Sequence, residues 1–329
     1  MRVHRSLDRL PSFDKAVVTI GTFDGVHSGH RRIIRQLTAE AKKCGGESVI
    51  ITFDPHPRKI LAPDDKSLHI LTTLAEKIFL LGEQQVDHLV IVPFTLAFSR
   101  LSAAEYVADF LVAKFHPHTI IIGYDHHFGH NREGDIHLLR SMEARFNFTV
   151  LEIPPQVVHD ITVSSTQIRK HLAAGHVKLA NELLGYPYFV TGEVIHGDGR
   201  GRGLGFPTAN LALEEPQKLI PAAGIYAARV KIPSPVDCSV NSHAKSMGPE
   251  VRTFDGAANI GWNPTFQGTE LRIEVHILDF AADIYGKNIQ LAFFDFIRPE
   301  ERFDDAETLV SAITEDVKKI KQVLPGLSE

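Results

Sequence analysis

The feature that most constrains this chain is a change of rhythm near Gly185-Tyr186-Pro187. Before it, short runs that are apolar at nearly every position alternate with stretches of helical period; after it, apolar and polar residues alternate within extended segments. The early runs are AVVTIG (16–21), SVIITF (48–53), HLVIVPF (88–94), HTIIIGY (118–124) and FTVLEIP (148–154). They read as strands buried on both faces, because a strand with one wet face alternates. Helix candidates lie between them: 29–43, with Ile33, Ile34, Leu37 and Ala41 on one face, then 74–85, 103–115 and 134–146. This order predicts an α/β fold with a doubly wound parallel sheet, whose ligand sites lie beyond the carboxyl ends of the strands. The later segments, YFVTGEVI, AGIYAARVKI, AANIGW, ELRIEVHILDF and NIQLAFFDFIR, have no crossover helices between them and predict a small antiparallel β-barrel. A terminal helix over 305–323, with Leu309, Ile313, Val317 and Ile320 in a stripe and Asp304 with Glu307 as a capping pair, is expected to close one side. A length of 329 residues suits two domains, 1–185 and 186–329.

Composition removes several classes. With 24 Gly, 18 Pro and 23% charged residues the chain is neither collagen-like nor disordered. Cys44 and Cys238 are isolated thiols, which excludes a disulfide scaffold and points to a reducing cytoplasm. No apolar run approaches the ~18 residues of a membrane span, and the Arg-containing start MRVHRSLDRLPSFDK has no apolar stretch behind it, so neither a membrane partner nor a secretory signal is expected. Residues 1–185 carry 21 basic and 20 acidic side chains, and 186–329 carry 14 and 20, so nucleic acid is a poor partner for either half. Histidine is uneven: 15 of the 18 lie in the first 185 residues. That bias marks a cluster of hydrogen-bond donors.

The chemistry gathers in loops after strands. GTFDGVHSGH (21–30) follows the first strand and opens a helix, whose free N–H groups and dipole suit a phosphate; His27 and His30 add donors. FDPHPRK (53–59) places His56 after the second strand, and GYDHHFGHNREGD (123–135) follows the fourth. SSTQIRK (164–170) opens a further helix whose hydroxyls and Arg169 suit a di- or triphosphate.

These residues resemble the bifunctional bacterial riboflavin kinase/FAD synthetase family. The His-x-Gly-His element is shared by a broad nucleotidylyltransferase superfamily; with FDPHP, the Gly-Tyr-Asp…Phe-Gly segment and SSTQIR in this order it is similar to the FMN adenylyltransferase module. GRGLGFPTAN (201–210), PAAGIYA (221–227), NIGWNPTF (259–266) and EVHILDF (274–280) are similar to the riboflavin kinase barrel. The resemblance implies riboflavin and ATP as substrates, FMN and ADP as first products, and then FAD and pyrophosphate from FMN and a second ATP, with Mg²⁺ as cofactor. It assigns catalytic positions to His27, His30 and Arg169 in the first module and to Glu274, as general base, in the second. Nucleotide or phosphate contacts fall to Gly21, Phe23, Asp24, Gly25, His56, Ser164, Ser165 and Thr166, and to Gly201, Gly203, Gly205 and Pro207 in the kinase loop. Thr208 and Asn210 match the Mg²⁺ ligands, and Asp125 and Arg298 are flavin-side candidates.

Some readings stay open at this stage. Asp24 is a metal ligand, a hydrogen-bonding partner or a helix-opening cap. Arg298 faces ligand or pairs with Glu300 or Glu301, and Trp262 lies near the flavin or in the barrel core. His126 and His127 stand where the family often has a single aromatic and basic pair, and PSPVDCSVNSHAKSMGPE (233–250) reads as a long inter-strand loop. The rival functions are a nucleotidylyltransferase for another phosphorylated acceptor, and a nucleotide- or flavin-binding regulator with one decayed module.

Overall fold

The computed structural model describes residues 1–65, 67–197, 199–233, 251–265 and 268–326. They divide into two compact units, Met1–Gln167 and Ile168–Glu329.

The first unit is built on a parallel sheet of β1 (Arg2–His4), β2 (Val17–Ile20), β3 (Ser48–Asp54), β4 (His88–Pro93), β5 (Thr119–Gly123) and β6 (Thr149–Ile153), in the order β1-β4-β3-β2-β5-β6. All five expected strands are present. The sixth, β1, pairs Arg2–His4 with His88–Val90 at the edge; it escapes the apolar-run criterion because an edge strand is not buried on both faces. The strand order reverses between β2 and β5, which makes the carboxyl ends of those two strands the topological switch point.

Helices cover the sheet where the periodicity placed them. Helix α1 (Ser28–Cys44) buries Ile34, Leu37 and Ala41, and Gly45 ends it in the left-handed conformation. After the short α2 (Pro57–Leu61), α3 (Leu74–Gly82) opens with a capping box made by Thr73 and Glu76. The 103–115 helix is composite: α4 (Ala103–Glu105), a π-helical stretch Tyr106–Val112, and α5 (Ala113–Phe115). Helix α6 (Ile136–Phe146) starts two residues later than 134 because Asp135 is its cap, accepting the Leu138 N–H at 3.0 Å. A hairpin of β7 (Val157–Val158) and β8 (Ile161–Thr162), turning on His159 and Asp160 at positive φ, leads into α7 (Ser165–Ala173).

The second unit begins inside α7. Ala222 donates its N–H to Leu172 O, and α8 (Val177–Leu184) is fixed to the barrel by an Asn181 bond to Phe293 O (2.9 Å) and a Lys178–Asp295 ion pair (2.7 Å). These contacts are why the compact unit starts before residue 186, where the sequence rhythm changes. The barrel comprises β9 (Phe189–Ile195), β10 (Ala209–Ala212), β11 (Gly224–Pro233), β12 (Val251–Thr265), β13 (Gly268–Ile277) and β14 (Asn288–Arg298), closed as β10-β13-β12-β11-β14-β9. Between β9 and β10 lies a single helical turn, α9 (Arg200–Gly203). Val194, Leu211, Ala258, Ile260, Ile273, Val275 and Phe293 are buried, so their alternating neighbours Asn210, Asn259, Glu274 and His276 stand on the outer face. Helix α10 (Ala306–Val323) is capped by Asp305 accepting the Thr308 N–H at 2.7 Å, one residue beyond the Asp304–Glu307 pair expected. Residues 234–250, nearly all of the expected long loop, lie outside the described residues.

Candidate active sites

In the first unit the turn after β2 is held from below. The buried Asp24 carboxylate accepts the N–H groups of Leu71 (2.9 Å) and Thr72 (3.0 Å) and the Thr72 hydroxyl (3.3 Å), while Thr72 Oγ1 accepts the Gly25 N–H at 3.0 Å. Asp24 therefore braces this turn against the Leu71–Thr72 segment. Gly25 sits at φ +81°, a conformation that disfavours a Cβ. His27 then caps α1, its Nδ1 accepting the His30 N–H at 3.3 Å, and the two imidazoles stack with centroids 3.6 Å apart. Gly29 lies close beneath the first ring, where a Cβ would sit 3.2 Å from His27 Nδ1 and press on it.

The second helix opening joins the first. Ser165 donates its hydroxyl to Asp24 O at 2.9 Å, and Ser164 Oγ accepts the Gln167 N–H at 3.3 Å. Thr166 is exposed beside them. His30 is held well below its ordinary pKa by burial, then by His27 and Lys77, so the stacked rings do not repel in this state. Lys77, on α3, was not picked out in the sequence. It is 6% exposed, with its pKa lowered by burial against the opposing pull of Asp24 and Asp54. Its signal was present as a lysine on the apolar face of a short helix, next to Leu80 and Leu81.

In the barrel unit, β13 lies between β10 and β12. Glu274 pairs with Asn210 on one side and Asn259 on the other, so three polar side chains form a row across the outer face. Thr208 donates its hydroxyl to Glu274 Oε2 at 3.2 Å. The loop between β9 and β10 lies against this row: a Cβ on Gly197 would fall 2.1 Å from Asn210 Nδ2, and one on Gly201 would fall 2.4 Å from Phe206 O. His276 fixes the far end of the loop through a 2.8 Å contact between Nδ1 and Pro207 O, and its ring meets Phe206 edge-on. At Gly197 and Gly201 the loop thus brings bare backbone next to the Asn210 amide and the Thr208 hydroxyl.

Both halves match known families. Residues 10–167 match the FAD synthetase family and residues 184–324 match the riboflavin kinase family. The bifunctional riboflavin kinase/FMN adenylyltransferase of Listeria monocytogenes is 37% identical over 95% of this chain and 94% of its own length. This chain belongs to that bifunctional family. The Escherichia coli K12 relative of the same description is 36% identical over 91% of this chain and 90% of its own. A solved Streptococcus pneumoniae structure, described as a macrolide-efflux protein, superposes with TM-score 0.83 at 31% identity over 99% of both chains. The family makes FMN from riboflavin and ATP and makes FAD from FMN and ATP. Among the described residues no helix is long and apolar enough to cross a membrane.

Within the adenylyltransferase module the expected residues are not equivalent. Gly21, Asp24, Gly25, His27, His30, Ser164 and Ser165 come together at the switch point. Phe23 differs: its ring is buried, 5.0 Å from the His30 ring, and supports that histidine from beneath. His56 caps α2 by accepting the Arg58 N–H at 3.2 Å. Asp125 is exposed after β5, while His126 packs on Phe128 with its pKa lowered to about 4, chiefly by burial. Arg169 is on α7, four residues beyond Ser165 and therefore on the same helix face.

Two kinase-side readings are narrowed. The Arg298 guanidinium is held by Asp316 of α10, at 3.0 Å from Nε and 2.8 Å from Nη2, and it also makes the expected ion pair with Glu301, at 3.7 Å; the shorter bonds to Asp316 anchor the helix. Trp262 is 55% exposed rather than part of the core. Gly203 and Gly205 are also exposed, on the loop of Gly201 and Pro207.

Proposed function

We propose that adenylyl transfer is carried by residues 1–185 and riboflavin phosphorylation by residues 186–329, with the following division of labour. In the first module the FMN phosphate oxygen attacks the α-phosphorus of ATP, and the bond to the departing pyrophosphate breaks. The attacking group is already an anion, so the protein supplies position and charge neutralisation. His27, His30, Ser164, Ser165, Thr166 and Arg169, with the N–H groups at the openings of α1 and α7, hold the phosphates. His56 completes the nucleotide pocket, and Gly21, Phe23, Asp24 and Gly25 keep the turn in shape beneath it. A phosphate against His30 moves that ring back toward its charged form.

In the second module Glu274 takes the proton of the riboflavin 5′-hydroxyl as its oxygen bonds to the γ-phosphorus and ADP departs. The backbone of Gly201, Gly203, Gly205 and Pro207 follows the phosphates. Thr208, Asn210 and Glu274 form an all-oxygen donor set next to a cradle that a Cβ at Gly197 would fill, which fits Mg²⁺. When bound, Mg²⁺ would neutralise charge on the transferred phosphoryl group; Thr208 and Asn210 would hold it. We place the reaction in a reducing cytoplasm, in keeping with the sparse cysteines.

The observation that carries the reading is Glu274, directly opposite Asn210 and bonded to Thr208, on the outer face of the barrel rather than in its core. The test is incubation of the purified chain with riboflavin, ATP and Mg²⁺ and chromatographic separation of the flavins over time. FMN followed by FAD is expected. FMN alone removes the adenylyltransferase assignment, and no conversion removes both.

A further inference from the structure

The row on the barrel has two flanks of different chemistry. On the Asn210 flank the glycine loop approaches with bare backbone, and Thr208 donates to Glu274. On the opposite flank stands Asn259, directly across from Glu274, with Cβ atoms about 5 Å apart as for any opposed antiparallel pair. Asn259 Oδ1 is buried, and among the described residues no donor reaches it. A buried amide oxygen without a donor is destabilising, and proteins keep such groups where something else satisfies them. Phosphate and carboxylate oxygens are acceptors and cannot do so. A hydroxyl can, and so can a metal ion.

Of the two kinase substrates, riboflavin brings a polyol arm: after Glu274 takes the terminal hydroxyl, secondary hydroxyls remain as donors. We propose that Asn259 is a substrate-positioning residue of the kinase module, its Oδ1 accepting a hydrogen bond from a secondary hydroxyl of the flavin's polyol arm. The arm then reaches Glu274 from the β12 side while the γ-phosphate arrives from the β10 side, the opposed approach an in-line displacement requires. This rests on the kinase reading of Glu274. The sequence placed Asn259 in NIGWNPTF, but its relation to Glu274 exists only through the β12–β13 register.

The test compares riboflavin with a flavin whose side chain is 5-hydroxypentyl, which keeps the terminal hydroxyl and lacks the secondary ones. Asn259→Ala should lower kcat/KM for riboflavin about tenfold, the size of one lost hydrogen bond, and leave kcat/KM for the hydroxypentyl flavin unchanged. The KM for ATP, the Mg²⁺ dependence and FAD formation from supplied FMN should stay as in the parent. Asn259→Ser, which keeps a hydroxyl acceptor, should fall between the two, and an unchanged melting profile for both variants shows that they fold. An equal loss on both flavins overturns the proposal in favour of a structural role, and a raised Mg²⁺ requirement overturns it in favour of a metal ligand. If the parent chain itself forms no FMN, the kinase reading falls and Asn259 with it. FMN formation with no substrate-dependent effect at Asn259 sinks this proposal alone.

Discussion

The adenylyltransferase module carries its candidate site at helix openings after strands, and the kinase module carries the central row of its candidate site on strands. In the first, His27, His30 and Ser165 belong to turns that enter helices at the carboxyl ends of a parallel sheet, and they are held by bonds such as Asp24 to Leu71 and Thr72. In the second, Asn210, Glu274 and Asn259 are fixed by three adjacent strands of a closed barrel, and only the glycine loop lies over them. The loop-borne site is written as contiguous motifs, because a helix N-terminus is a local object. The strand-borne site is a lateral row, assembled from residues 64 positions apart in one case and 15 in the other.

The largest effect should come from separating the two chemistries. Glu274→Gln removes the proposed base and should lower FMN formation from riboflavin by about 10³-fold or more while leaving FAD formation from supplied FMN intact. His27→Ala should do the reverse, since it removes both a phosphate donor and the α1 cap. Flavin chromatography reads both. A single variant that loses both activities would break the comparison outright.

A smaller effect should compare how each site tolerates an added methyl group. Gly197→Ala drives a Cβ into the Asn210 side-chain amide, which must swing out of its row, and Gly29→Ala puts one 3.2 Å from His27 Nδ1, which need give only a few tenths of an ångström. The kinase rate should fall about a hundredfold in the first, and the adenylyltransferase rate about tenfold in the second, an ordering set by how far each side chain is displaced. Equal losses would deny that displacement of Asn210 matters to the kinase.

Next come the anchors of each module. Asp24→Ala leaves two buried backbone N–H groups without their acceptor, and Asp316→Ala strands the Arg298 guanidinium. Each should destabilise its own unit by about 2–4 kcal/mol, seen as a shifted transition in thermal unfolding. A shift confined to the other unit would contradict the assignment of these bonds.

The smallest effect is a pH dependence. His126 has its pKa lowered from 6.5 to about 4 in the folded chain, so below pH 6.5 the unfolded chain binds a proton that the folded one refuses. Stability is therefore full above that pH and declines as pH falls toward 4, and the lowered His30 acts in the same direction. Acid unfolding followed by calorimetry should show this decline, and His126→Phe should reduce it. A decline of the same size in the variant would remove His126 as its source.

Much of this molecule was legible from local pattern. All-apolar runs specified the parallel strands, since burial on both faces leaves no room for polar positions, and alternation specified the barrel strands. Most missed elements have weak local signals: β1 at the sheet edge, the four-residue β10 inside a glycine-rich motif, and the two-residue hairpin strands before α7; α8 was also missed, although Val177, Ala180, Leu183 and Leu184 give it an apolar face. Caps slipped by one residue at Asp305, because Asp304 and Asp305 are chemically identical and only the chain path chooses between them.

The sequence by itself determined the two architectures and the loops that carry the histidines and serines, because periodicity and helix-entry chemistry act over a few residues. Tertiary structure alone decided that Asp24 braces its turn, that Arg298 belongs to Asp316, that Lys77 is buried among carboxylates, and that Asn259 faces Glu274. Each of these depends on which distant segments lie side by side. Strand register and helix docking are settled by the burial of whole faces, and no single segment encodes them.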